Sequence, residues 1–183
     1  MSAWAKKRDI MRRYDVTAQI YDVRYAEEQT AKIKAALKHV KNISDAILDA
    51  GCGTGVLFAH VEEKTRIIVG LDISRKSLIE ARTRARAHTN VSLIWADADN
   101  MPLKDGMFDK VFAMTLIQNA PSPAETLKEI RRVAKDDAQI IVTGLKKIFT
   151  KGTFERLVKD AGLNISAMET RGLKCYVAIC TRK

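Results

Sequence analysis

The run Ile47-Leu-Asp-Ala-Gly-Cys-Gly-Thr-Gly55 constrains this chain more than any other: branched apolar residues stop at an aspartate, and three glycines follow at alternate positions. A short apolar run reads as a buried strand. Glycines directly after it predict a sharp strand-to-helix turn whose backbone can come close to a ligand. The first N–H groups of the next helix have no partner inside that helix, so the turn also offers hydrogen-bond donors. A helix is expected from the glycines to about residue 63.

The same arrangement recurs downstream. A strand over 66–71 ends at Asp72, and Ser74 reads as the N-cap of a helix over 75–87. A strand over 91–95 ends at Asp97. Further strands are expected over 108–115, 139–143, 163–168 and 174–180, the last two pairing antiparallel. Helices are expected over 124–134, behind two prolines, and over 153–160. Strands that alternate with helices imply crossovers and a mostly parallel sheet. The expectation is an α/β, Rossmann-like fold: seven strands, mostly parallel, the last antiparallel, with helices on both faces. The body starts near Ile43. Residues 42–183 form this domain, and residues 1–41 form a helical N-terminal arm with a break near Asp15 and a restart at Thr17.

Composition excludes several classes. Three scattered cysteines and three scattered histidines among 183 residues make neither a disulfide framework nor a zinc site. No apolar run is long enough to span a bilayer. No apolar stretch follows Lys6, Lys7 and Arg8, so no secretory leader is expected, and the cytoplasm is the expected location. The formal net charge of +10 favours an anionic partner such as RNA or a phosphorylated metabolite, or serves only solubility. Three basic clusters stand out: 6–13 in the arm, 75–86 and 146–151. The arm and the cluster after the fifth strand are expected near the ligand, with the Arg82–Arg86 face turned to solvent.

Ligands of open parallel sheets bind at the carboxyl ends of the strands. Those ends here carry Asp49 with its glycines, Asp72, Asp97 and residues 115–119. The glycines do not match GxGxxG, because Val56 and Leu57 follow Gly55, and no GK[ST] is present, so neither a dinucleotide fingerprint nor a P-loop is predicted. Asp72 lies about 20 residues beyond the loop, the place of an acidic ribose-binding residue. A ribose without a neighbouring pyrophosphate fits this pattern.

The segment 47–55 resembles motif I of the class I S-adenosylmethionine-dependent methyltransferases, and Val69-Gly-Leu-Asp-Ile-Ser74 resembles motif II. Ala96-Asp-Ala-Asp-Asn-Met-Pro-Leu103, with Phe108-Asp109 downstream, is similar to the corresponding segment of their UbiE-like, type 11 branch. Glu129-Ile-Arg-Arg-Val133 and residues 154–163 also resemble that branch, and the likeness covers about residues 12–168. It implies S-adenosyl-L-methionine as cofactor. Gly51, Gly53 and Gly55 would then let the loop approach its methionine and sugar, and Asp49 would help hold its amino group, directly or through water. Asp72 would take the ribose hydroxyls, and Ile73 would pack on adenine. Asp97 would accept from the adenine amino group, the Ala98 N–H would meet the ring, and Thr115 would lie near the methionine. Tyr14 and Tyr21 would close over the site, or simply pack the arm onto the body.

The acceptor is less legible. Gln118 and Asn119 are candidates to bind it, or Asn119 caps a turn before Pro121. The N-P-P-Y pattern of amino-directed enzymes is replaced by Asn119-Ala-Pro-Ser, which puts that chemistry in doubt. No general base is named, and Cys52 reads as a small residue that fits the loop. The expected acceptor is a small molecule. The alternatives are an RNA or protein acceptor, and a non-catalytic cofactor-binding regulator. A closed pocket under the arm favours the first; an open basic cleft favours the second.

Overall fold

The computed structural model describes residues 3–40, 46–61 and 65–183, apart from the side chains of residues 3, 19 and 21–24. Its strands are β1 (Ala46–Ala50), β2 (Ile67–Asp72), β3 (Val91–Trp95), β4 (Phe108–Ala113), β5 (Ala134–Leu145), β6 (Leu163–Glu169) and β7 (Cys175–Arg182). Its helices are α1 (Ala3–Leu37), α2 (Phe58–Val61), α3 (Arg75–Ala85), α4 (Pro123–Val133) and α5 (Lys151–Asp160). The strands make one sheet in the order β3-β2-β1-β4-β5-β7-β6. β7 runs antiparallel to both neighbours, and the pairs from β3 across to β5 are parallel. The expected architecture is the one observed.

Successive strand residues face opposite sides of a sheet, and here both sides are buried. Leu48, Val111, Ile140 and Val142 point to one face, where Leu127 and Ile130 of α4 and Phe154 and Val158 of α5 cover them. Ile47, Ile68, Phe112 and Ile141 point to the other, under Ile33 of α1, Phe58 of α2 and Leu78 and Ala81 of α3. Strands buried on both faces explain the near-continuous apolar runs in the sequence.

Ser74 caps α3 as expected, its hydroxyl accepting from the Ser77 N–H at 3.1 Å. The arm departs from expectation, because α1 is one continuous helix with no break at Asp15. Aspartate favours helix starts, and Asp15 does act at one, but on a different helix. Its Oδ1 accepts from the Ser74 hydroxyl (2.6 Å) and the Lys76 N–H (3.2 Å), so it helps cap α3 across 59 residues of sequence. β5 starts five residues earlier than expected, since Ala134 pairs with Phe108 ahead of a register shift. β4 stops at Ala113, two residues short of Thr115. The expected start of the body near Ile43 and the end of the second helix at residue 63 lie outside the described residues.

Candidate cofactor and acceptor site

Where β1, β2, β3 and β4 end, the loops enclose a cleft roofed by α1. Gly51, Gly53, Asp72, Ile73, Asp97, Ala98 and Thr115 line it, and Lys7, Ile10 and Tyr14 of α1 complete its wall. Seven of the site residues read from the sequence are thus brought together from four strand ends. Asp49 sits behind the wall at 3% exposure. Gly55 faces away from the cleft, toward Phe58. The Tyr21 side chain lies outside the described residues.

The glycine turn is held by β2. The Gly51 and Cys52 N–H groups both donate to the Leu71 carbonyl, at 2.7 and 3.0 Å. Gly51, Gly53 and Gly55 all have positive φ (72°, 54° and 79°), a region that L side chains enter only at a cost. Asp72 then locks the turn to the next helix, its two carboxylate oxygens accepting from Gly53 N–H (2.8 Å) and Ser74 N–H (2.7 Å). Burial nevertheless raises the Asp72 carboxyl above the usual range. The backbone bonds from Ser74, Gly53 and Ile73 pull the other way, and the charge of Asp15 adds to the rise. Burial, with the nearby charge of Asp72, pushes Asp49 up to about 8. Burial raises both carboxyls, and the charge of Asp72 adds to the rise at Asp49.

At the β3 end, Lys7 Nζ lies 2.5 Å from Asp97 Oδ2 and 2.7 Å from Asp99 Oδ2. Burial lowers the Lys7 ammonium, but its bonds to the two carboxylates outweigh that and hold it above its ordinary value. The Thr126 hydroxyl also donates to Asp99. Lys7 and Asp99 were not singled out from the sequence. A signal existed in the Asp97-x-Asp99 spacing, which puts two carboxylates on one turn.

At the β4 end, Thr115 has φ 61°, the one non-glycine with positive φ among the described residues. Its N–H donates to the Thr143 hydroxyl at 2.7 Å. Its own hydroxyl accepts from Gln29 Nε2 and from Lys32 Nζ of α1, both at 3.2 Å. Lys32 is buried at 1% exposure and paired with Glu28 at 2.7 Å. A strained residue held from three sides is the kind of feature found at working sites.

Asn119 is committed to the arm: Nδ2 donates to Tyr14 OH and to the Thr115 carbonyl, and Oδ1 accepts from Arg13, all at 2.8 Å. The Gln118 carbonyl oxygen is buried without a partner among the described residues, but Gln118 does not line the cleft. Basic residues after β5 are also off the cleft. Lys146 donates to the Thr170 carbonyl, and Lys151 lies near Glu155. Of the arm's basic residues, Lys7 reaches the cleft wall and Arg13 its rim. Cys52 is buried, and burial raises its thiol well above the ordinary value, so it carries no thiolate nucleophile.

A family model described as a methyltransferase domain matches residues 48–142, the stretch from β1 through β5 that builds this cleft. The chain belongs to the methyltransferase domain family. A malonyl-[acyl-carrier protein] O-methyltransferase of Marinomonas is 32% identical to it over 150 residues, 80% of this chain and 55% of that protein. An uncharacterised protein of Methanocaldococcus jannaschii is 32% identical over 169 residues, 85% of this chain and 62% of that protein. This methyltransferase domain chain thus spans about half to three-fifths of the length of those relatives. Among solved structures, a SAM-dependent methyltransferase from Aquifex aeolicus superposes with a TM-score of 0.81 at 17% identity, covering 92% of this chain and 98% of that one. That likeness concerns the fold.

Proposed function

We propose that this chain transfers a methyl group from S-adenosyl-L-methionine to a small-molecule acceptor. One observation carries the reading: the acidic ends of β2 and β3 meet the positive-φ glycine turn after β1 in one cleft under α1, with Asp49 of β1 buried behind that turn. The residues fit the cofactor on chemical grounds. Asp72 offers a half-buried acceptor to vicinal hydroxyls. Asp49 at about 8 is a buried carboxyl suited to an ammonium partner. Asp97 accepts from an amino group, as it already does from Lys7, with Ile73 and Ala98 walling a flat ring and Thr115 beside the methionine end. When bound, the cofactor supplies a sulfonium-activated methyl group. The chain's task is then to align the acceptor and exclude water, which proximity and preplaced dipoles can accomplish.

The small-molecule reading is favoured over a macromolecular one by the closed roof. Arg13 and Tyr14 tie the arm to Asn119, and Lys7 ties it to Asp97. No helix among the described residues is long and apolar enough to cross a membrane, and the reading places the work in the cytoplasm. The test incubates the protein with methyl-labelled cofactor and fractionated cell extract. Label in the small-molecule fraction is expected. Label in RNA or protein would move the acceptor class, and cofactor binding with no label anywhere would leave a regulator.

Two further outcomes follow from the electrostatics. Asp49 holds its proton near neutral pH, and an ammonium beside it favours the carboxylate. Binding is therefore expected to release a fraction of a proton at pH 7, read by calorimetry in buffers of different ionisation enthalpy. The stability sign is also set. The folded value of about 8 exceeds the unfolded carboxyl value of about 3.9, so between them the folded chain binds more protons, and this group's contribution to stability falls as pH rises from about 4 to about 8. Asp49→Asn should flatten the decline in melting temperature across that window; an unchanged slope would refute the assignment.

Lys7 occupies Oδ2 of Asp97 and Asp99 N–H its Oδ1, so an adenine amino group arriving there would compete with Lys7 for the carboxylate. Lys7→Ala is expected to tighten cofactor binding about 3- to 10-fold, about 0.7–1.4 kcal/mol. Weaker binding in the same titration would instead make Lys7 part of the binding wall.

A further inference from the structure

The outer edge of the sheet lies at β3, where no further strand pairs among the described residues. The Asn90 carbonyl accepts from Ile68 N–H (2.8 Å), and Ala96 N–H donates to the Asp72 carbonyl (3.1 Å), so the even-numbered residues face β2. Bonding groups of successive strand residues point to alternate sides. Val91, Leu93 and Trp95 therefore turn their N–H and C=O groups to the open edge. Their side chains line a groove of about 520 Å³ shared with α3. Trp95 is 60% exposed and Ile79, across the groove, 57%. Edge strands are ordinarily protected by charge, proline or a bulge; Val91-Ser-Leu-Ile-Trp95 has none of these.

The rim of the groove is basic. Arg75, Arg82 and Arg86 recur on the α3 side that carries Ile79, and no carboxylate among the described residues pairs with them. Arg82 and Arg86 are exposed, as expected of a face turned to solvent, and that face also borders the apolar groove. From Arg75 to Arg86 a helix rises about 16 Å, at 1.5 Å per residue. Five strand residues span about 17 Å, at 3.3–3.4 Å each. The charged rim and the open edge thus match in length.

We propose that this edge receives an acidic, extended segment of another protein, about five residues long, which adds a strand to β3. The alternate side chains of that segment that face α3 are apolar and acidic in turn, the apolar ones lying against Ile79 and Trp95 and the carboxylates meeting the three arginines. A second copy of this chain would set those arginines against each other. Single-stranded RNA would find one aromatic ring and leave the backbone edge unpaired. Trp95 Nε1 donates to the Ile73 carbonyl at 2.9 Å, and β3 runs directly into Asp97. A docked segment therefore steadies two parts of the cleft wall. Resting on the proposed function, this predicts that docking tightens cofactor binding.

The probe is a synthetic eight-residue peptide with glutamate and valine taking turns at every second position and threonine between them, so that both face α3. The controls are a lysine–valine peptide and a uridine dodecamer, and the readout is hydrogen exchange of the full chain. The acidic peptide is expected to slow exchange at the Val91, Leu93 and Trp95 amides at least about 10-fold. Arg82→Glu with Arg86→Glu, both at exposed positions, should abolish that protection, and so should Ile79→Glu. No protection, or equal protection by the lysine–valine peptide, overturns the proposal. Protection by the uridine dodecamer alone makes the surface one for RNA. Exchange at β3 is read without cofactor, so a failed methyltransferase reading would leave this result intact.

Discussion

Asp72→Ala is expected to weaken S-adenosylmethionine binding at least about 100-fold, the largest loss from any single change in the cleft. Two ribose hydroxyls donating to one carboxylate make charge-assisted bonds worth about 1.5–3 kcal/mol each, together about 100-fold or more in affinity. The same side chain fastens the turn, through Gly53 N–H at 2.8 Å, to the start of α3, through Ser74 N–H at 2.7 Å. Its loss therefore loosens the cradle as well as removing the acceptor. Asp72→Asn keeps the volume and one acceptor oxygen and should fall between, about 10- to 100-fold weaker. A second readout separates charge from shape: with the Asp72 charge removed, Asp49 should titrate below its value of about 8, since that charge helps to raise it. Titration calorimetry measures the affinities and carboxyl NMR the shift. Unchanged affinity in Asp72→Ala would remove Asp72 from the site.

The second large effect concerns stability, and it separates two glycines that look alike in the sequence. A Cβ on Gly55 would lie 2.4 Å from Phe58 Cε2 and 2.7 Å from its Cδ2, and Phe58 is fully buried beneath the sheet. The left-handed conformation costs a non-glycine residue about 1–2 kcal/mol, and forcing a packed ring aside adds about 1–3 kcal/mol. Gly55→Ala should therefore lower the melting temperature by about 4–20 °C, at about 2–4 °C per kcal/mol for a chain of this size. At Gly53 φ is also positive, but no atom lies within 4 Å of the added carbon. Gly53→Ala should lower the melting temperature by only about 2–8 °C, from conformational strain alone. Differential scanning calorimetry decides. Equal shifts in the two variants would mean that the Phe58 contact does not matter.

Much of the fold was legible because local chemistry and tertiary structure agree. The branched runs at Ile47 and Ile67 do form strands, Ser74 does cap α3, and the glycines do turn after β1. The strand ends followed from the same alternation, so Asp72 and Asp97 were placed on the cleft from sequence alone. What escaped is what depends on distant partners. Asp15 reads as a break because its carboxylate seeks a backbone N–H; it finds that of Lys76 on α3, and α1 runs on uninterrupted. Lys7 looked like one member of a basic run, and nothing near it in sequence shows that Asp97 and Asp99 receive it. Thr115 carries no local mark of its left-handed backbone. That conformation is held by Thr143, Gln29 and Lys32, from β5 and α1. The early start of β5 was hidden by Asp136 and Asp137, poor strand formers that lie exposed in that strand.

The most direct test is a crystal structure of the chain grown with saturating S-adenosylhomocysteine. Ribose hydroxyls within hydrogen-bond distance of Asp72, an adenine edge at Asp97 and Ala98, and Lys7 moved off Asp97 are the predicted result. Ligand bound elsewhere, or a cleft without ligand and with Lys7 still on Asp97, would contradict it.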